Sequence, residues 1–127
     1  MSFEIIIDGK SLLYTTKFEV EDDFEPDTTT THSGSIVTPP ETGTYTVSIE
    51  RATKVEYVDE AEVFAILEKC KTDPVTIVAV KKTVNGSIRW TYSNCVRSSF
   101  KTSVDENGQI EYTFELISEY QTIETFS

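Results

Sequence analysis

Histidine is almost missing from this chain of 127 residues, which holds only His32. Cysteine is confined to Cys70 and Cys95, and glycine to five positions. These shortages exclude whole classes of chemistry. Serine or cysteine nucleophiles paired with histidine would have to use His32, which lies in a polar loop that would hold a general base poorly. Zinc prefers closely spaced cysteine and histidine pairs, whereas the two cysteines here are 25 positions apart with one histidine elsewhere. No glycine-rich phosphate loop is present. No segment approaches the ~20 consecutive apolar residues of a membrane helix. Residues 1–4 lack the basic and apolar regions of a secretory signal, so an intracellular chain with two reduced thiols is expected. The inventory argues for a protein that is not an enzyme and holds no metal or cofactor.

Bases are also scarce: 11 against 22 acids give a net charge of −11. A dense row of nucleic-acid phosphates or an anionic membrane would repel such a surface. The bias is uneven. Residues 1–50 carry net −8, residues 51–101 carry +3, and residues 102–127 carry −6 without a single base. Acidic ends around a mildly basic middle suit charge-complementary contacts between copies of the chain, although solvated surface alone would give the same pattern.

The hydrophobic fraction of 38% includes seven Phe, six Tyr and one Trp, enough bulk for the core of one domain spanning 1–127. Phe3-Glu4-Ile5-Ile6-Ile7 followed by Asp8-Gly9 reads as a strand entering a tight hairpin, with its partner from Ser11 to about Val20. Residues 21–42 then form a long polar loop, with only Phe24, Ile36 and Val37 to bury. A loop this long is uncommon unless it is functional or disordered, and packing on a neighbouring subunit would account for both its length and its polarity. From Gly43 the alternation of Tyr45, Val47 and Ile49 with Thr44, Thr46, Ser48 and Glu50 predicts a half-buried strand.

One short helix is expected over about 59–71. Asp59 is its N-cap, Glu62 stands three positions on, and Val63, Ile66, Leu67 and Cys70 form its apolar stripe. Val75 to Val80 is an apolar run expected to be covered on both faces. Asn85-Gly86 and Asn107-Gly108 mark further hairpins, with strands near 87–92, 94–102 and 109–117. The result is a mainly β fold, an antiparallel sandwich or barrel of six or seven strands that the helix closes.

Three motifs fail on context. Aligning Gly108 with the invariant glycine of a calcium loop puts Ser103 and Phe114 where acidic ligands belong. Asn85-Gly86-Ser87 is a glycosylation sequon without a secretory route. Pro39-Pro40-Glu41-Thr42-Gly43 lacks the hydrophobic tail of a sorting signal.

The order of segments is more specific. It runs from Ile6-Ile7-Asp8-Gly9-Lys10 through Thr15 to Glu21, a polar loop, and the approach from His32 into Thr44-Tyr45-Thr46-Val47. A helix and a hairpin follow, then Tyr92-Ser93-Asn94-Cys95-Val96, Phe100 to Asp105, and Tyr112-Thr113-Phe114-Glu115-Leu116. This order resembles the core tail tube proteins of contractile-tailed phages, especially of the prophage type. It departs from the pattern in the long proline-bearing approach to residue 43.

The resemblance implies a subunit of stacked six-fold rings, a hollow tube that conducts DNA inside a contractile sheath in the virion tail and is assembled in the host cytoplasm. It also implies partners: further copies of itself, the sheath, a baseplate or tail-tip initiator and a tape-measure protein. DNA would pass without specific binding, and no membrane is involved. Three roles are then expected. Asp22, Asp23, Phe24, Glu25, Asp27, Ile36 and Val37 of the loop would reach an adjacent subunit or ring. Glu111 and Glu115, with the polar face of 44–50, would line the lumen. Arg51, Lys54, Lys81 and Lys82 would contact acidic surface of a neighbour or the sheath. Two alternatives share the sequence features: a tube subunit of a phage-tail-like bacteriocin or other injection device, and a monomeric β-sandwich module that binds a basic partner.

Overall fold

The computed structural model describes residues 2–23, 27–31, 34–38 and 43–126. Among them are ten strands and one helix: β1 (Phe3–Ile7), β2 (Lys10–Thr15), β3 (Lys17–Asp23), β4 (Asp27–Thr31), β5 (Gly34–Thr38), β6 (Thr44–Lys54), α1 (Glu60–Lys69), β7 (Val75–Thr83), β8 (Gly86–Val104), β9 (Ile110–Ser118) and β10 (Tyr120–Phe126). The order β1-β2-β6-β9-β8-β7 closes on itself through antiparallel pairs, giving a six-stranded barrel. β3 adds to β6 and β10 adds to β8. The first hairpin needs positive φ at both turn residues, 51° at Asp8 and 81° at Gly9, as Asp-Gly predicts.

Two long strands serve both sides of the barrel and bend to do so. β8 pairs with β7 and β10 over its first half and with β9 over its second. The bend lies beside Asn94, at φ 54°. β6 turns similarly at Arg51, also at φ 54°, where its pairing with β9 shifts register between Ile49 and Ala52. An asparagine takes this left-handed conformation readily, whereas an arginine needs its surroundings to hold it. Buried hydroxyls fasten two other corners. Thr15 Oγ1 donates to the Glu50 carbonyl at 2.6 Å and accepts from the Lys17 N–H at 3.1 Å. Ser118 Oγ donates to the Ser93 carbonyl at 2.6 Å and accepts from the Tyr120 N–H at 3.2 Å.

The interior holds Ile5, Ile7, Leu13, Val47, Ile49, Ile77, Tyr92, Tyr112, Phe114 and Leu116, all at or near zero exposure. At one end Phe3, Phe18 and Trp90 meet with ring centroids 5.4–5.8 Å apart. At the other α1 lays Phe64 on Tyr112 at 5.3 Å and buries Val63 and Leu67. Three peripheral ion pairs position the helix: Lys10–Glu62, Lys69–Asp8 at 3.5 Å and Arg97–Glu68 at 3.9 Å. The first two are exposed and contribute about 0–1 kcal/mol each, so apolar burial does most of the anchoring.

The strands exceed the sequence reading in four places. The polar stretch 21–42 is not wholly a loop: β3 continues to Asp23, and β4 and β5 pair with each other from Asp27↔Thr38 to Thr31↔Gly34. β8 is one bent strand instead of two. β10 had no period-2 signal, because its apolar residues Tyr120, Ile123 and Phe126 stand three apart. The run 75–80 is buried on one face only: Val75, Ile77 and Ala79 face the core, while Val78 and Val80 are half-exposed. Asp59 occupies the N-cap position with extended backbone but makes no side-chain capping bond. Glu62, its expected capping-box partner, pairs instead with Lys10.

Both thiols are buried and free. Burial pushes the Cys95 thiol up from an ordinary value near 9 to about 11, and raises Cys70 as well. The unfolded chain therefore releases these protons first, and stability present below pH ~9 is lost as pH rises toward 11. Urea midpoints measured at pH 8 and 10.5 should fall less in Cys95→Ala than in the parent. An equal fall in both would remove Cys95 from the alkaline response.

Candidate functional site

β3, β6, β9 and the second half of β8 form one four-stranded sheet. Its inner face supplies Phe18, Val20, Val47, Ile49, Phe114, Leu116 and Phe100 to the core. Directly paired residues share a face, so the registers fix the outer one row by row. The rows read Glu21–Thr46–Ile117–Val96, then Glu19–Ser48–Glu115–Ser99, then Lys17 opposite Glu50 and Thr113 opposite Lys101, and finally Glu111 opposite Ser103. Apart from Ile117 and Val96 in one row, every side chain here is polar.

Charges on this face are tied to one another. Arg51 Nε donates to Glu111 Oε2 at 3.0 Å, and that carboxylate holds the guanidinium above its usual range. Lys17 pairs with Glu50 at 3.2 Å and Glu19 at 3.6 Å, and its ammonium is raised by the Glu50 hydrogen bond and then the Glu19 charge. Ser48 Oγ donates to Glu115 at 3.3 Å. Five carboxylates against Lys17, Arg51 and Lys101 leave the face net acidic.

Two edges of the sheet are open, since no other described strand pairs with the outer side of β3 or with that of β8 beyond Arg97. They differ in charge. β3, Lys-Phe-Glu-Val-Glu-Asp-Asp, has four acids and one base, whereas the open part of β8, residues 98–104, has Lys101 and no acid.

The expected site residues fall in several places. Glu111 and Glu115 share the polar face with the strand 44–50. Arg51, expected on a contact patch elsewhere, lies on that same face as the partner of Glu111. Lys54 sits at the end of β6 beside the 107–110 turn. Lys81 stands 6.0 Å over the Phe3 ring, and Lys82 is near Glu4 and Tyr14 on another face of the barrel. Asp22 is exposed at the end of β3, Asp23 pairs with Thr44, Asp27 lies in β4, and Ile36 and Val37 lie in β5. Phe24, Glu25 and His32 lie outside the described residues. Lys17, Glu19, Glu21 and Lys101 were not anticipated as site residues, although the alternation over 17–21 carries the signal for three of them.

Among the described residues no group of three or more His, Cys, Asp and Glu is placed to share a metal ion. Asp105 Oδ1 is engaged in its own turn, accepting from the Asn107 and Gln109 N–H groups at 2.9 Å.

Neither a family profile nor a curated protein matches the sequence. Solved structures do match in fold. A chain of the sheath–tube complex of an extracellular contractile injection system (PVC), in its extended state, is 10% identical, with a TM-score of 0.65 over 98% of this chain and 88% of that one. Hcp1 from Flavobacterium johnsoniae is 12% identical, with a TM-score of 0.55 over 100% and 99%. A chain from the virion of a native gene transfer agent particle is 11% identical, with a TM-score of 0.56 over 98% and 96%.

Proposed function

We propose that this chain is a structural, non-enzymatic tube subunit that assembles into rings and stacks them into a hollow conduit of a phage tail or related contractile device. The observation that carries this reading is the four-stranded sheet, whose one face is core, whose other face is polar, and whose two open edges bear opposite charge. A heterologous contact between unlike edges closes into a ring when the rotation between subunits permits. The acidic edge β3 of one subunit meets the basic edge β8 of the next, and the polar faces then line the inside of the ring.

Glu111, Glu115, Glu19, Glu21 and Glu50 would give that channel a net acidic wall, which repels phosphates and keeps a passing nucleic acid from sticking. A sheath, a tail-tip initiator and a tape-measure protein are the partners this role requires, and host cytoplasm is the place of assembly. Lys82 and Arg89 lie outside the polar face and are available to an acidic sheath. The fold shared with chains of a sheath–tube complex and a transfer-agent virion supports the reading.

Electron microscopy of the concentrated protein, alone and with a tail-tip seed, tests it. Rings or tubes of uniform width are expected. Particles that stay monomeric even with the seed would overturn the tube and favour a binding module.

A further inference from the structure

β10 ends the sheet that β8, β7, β1 and β2 continue, and no other described strand pairs with its outer side. Edge strands of natural proteins are commonly blunted by charge, proline or a bulge. β3 follows that rule with its four acids. β10 does not: Tyr-Gln-Thr-Ile-Glu-Thr-Phe has one charge and no proline, and it pairs with β8 in unbroken register. Its large apolar side chains Tyr120, Ile123 and Phe126 are 57%, 54% and 45% exposed.

The spacing of these three is not that of one strand face. It is instead the same from either end: aromatic, polar, polar, isoleucine, polar, polar, aromatic. Two antiparallel copies related by a twofold axis at Ile123 would therefore pair all seven residues. A shift of one residue would set inner faces against outer ones. In the full register Tyr120 meets Phe126 of the other copy, and Ile123 meets its own equivalent. Directly opposed aromatic and β-branched pairs of this kind stabilise antiparallel sheets. The Arg89 guanidinium lies 5.1 Å over the Phe126 ring, and Ile123 stands opposite Trp90.

Charge agrees with this pairing. Glu124 has Arg89 as its partner on β8, and across the twofold axis it would face Thr122. No like charges meet. The β3 edge of a second copy would instead bring four acids to the same place.

We propose that β10 joins a second copy of this chain edge to edge, as an antiparallel strand pair centred on Ile123. The sheet of one copy then continues into that of the other. A contact of seven residues a side falls short of the roughly 800 Å² per partner of a stable complex, so the dimer forms reversibly at high concentration. It is separate from the ring contact, which uses β3 and residues 98–104, and it does not depend on that reading.

Sedimentation of the parent over a concentration series should show a species of twice the subunit mass that dissociates on dilution. Ile123→Lys should melt with the parent, since the side chain is half-exposed. It should raise the dimer dissociation constant about tenfold, because like charges then meet on the axis. Mixing it with Ile123→Glu should restore dimers. Mild oxidation reads the register independently. Tyr120→Cys mixed with Phe126→Cys should form a mixed disulfide, whereas neither should link to itself, its equivalents lying roughly 20 Å apart. Cys70 and Cys95 are buried and spared. A parent that is monomeric at every concentration, dimers indifferent to Ile123→Lys, or self-linking as fast as mixed linking would each overturn the β10 contact. None of these outcomes touches the tube reading, whose rings should form equally in Ile123→Lys.

Discussion

Exchanging Lys101 for glutamate is expected to leave the free subunit as stable as the parent while raising the concentration needed for ring formation roughly tenfold at low salt. Lys101 is exposed on the open edge of β8, so its removal disturbs no described ion pair within the subunit. In the ring it would meet the edge that carries Glu19, Glu21 and Asp22, and a like charge there repels at every interface. Glu19→Lys with Glu21→Lys should fail in the same way, and combining them with Lys101→Glu should restore assembly, since opposite edges then attract again. Added salt should weaken the parent rings, because exposed pairs are screened over about 8–10 Å near physiological ionic strength. Native mass spectrometry across a salt series reads all of these. If the reversed combination assembles no better than either parent substitution, the two edges do not meet.

The largest effect on the fold itself is expected at Phe114. Its ring is 1% exposed on the inner face of β9, between Ile49 of β6 and Phe100 of β8. Truncation to alanine removes the buried ring and leaves a cavity that neighbours on three strands fill only in part. A loss of about 3–5 kcal/mol is expected. That is a large share of the 5–15 kcal/mol typical of domains, and it corresponds to a melting point lower by roughly 10–20 °C. Ile117→Ala, on the outer face of the same strand with 41% exposure, should cost a few tenths to about 1 kcal/mol. Thermal unfolding followed by Trp90 fluorescence compares the two. Equal losses would mean that the faces of β9 are assigned wrongly.

Local chemistry accounts for the parts of this fold that were legible in advance. Period-2 alternation over 43–50 and 110–116 marks strands whose inner and outer faces the structure keeps. Asp8-Gly9 and Asn107-Gly108 mark turns because only certain residues accept positive φ cheaply, and Gly9 and Gly108 sit at 81° and 82°. The stripe Val63, Leu67 and Cys70 marks a helix that must pack on something. In each case the information lies within a few residues, and the physics that reads it is equally local.

The remainder depends on contacts distant along the chain. β10 has no alternation of its own and is held by pairing with β8 and by Tyr92 donating to Gln121 at 2.6 Å. The hairpin within 27–38 is rich in threonine and serine, which suit strand and loop alike, so pairing decides between them. The sequence by itself determined the composition of the site: an acidic, hydroxyl-rich set of strands with almost no catalytic inventory. Tertiary structure alone decided that Glu111 pairs with Arg51, that Lys101 and Glu21 occupy opposite edges of one sheet, and that Tyr112 is buried with its hydroxyl unmatched. Charge and polarity are properties of residues, whereas register, edge and burial exist only once strands far apart in the chain have paired.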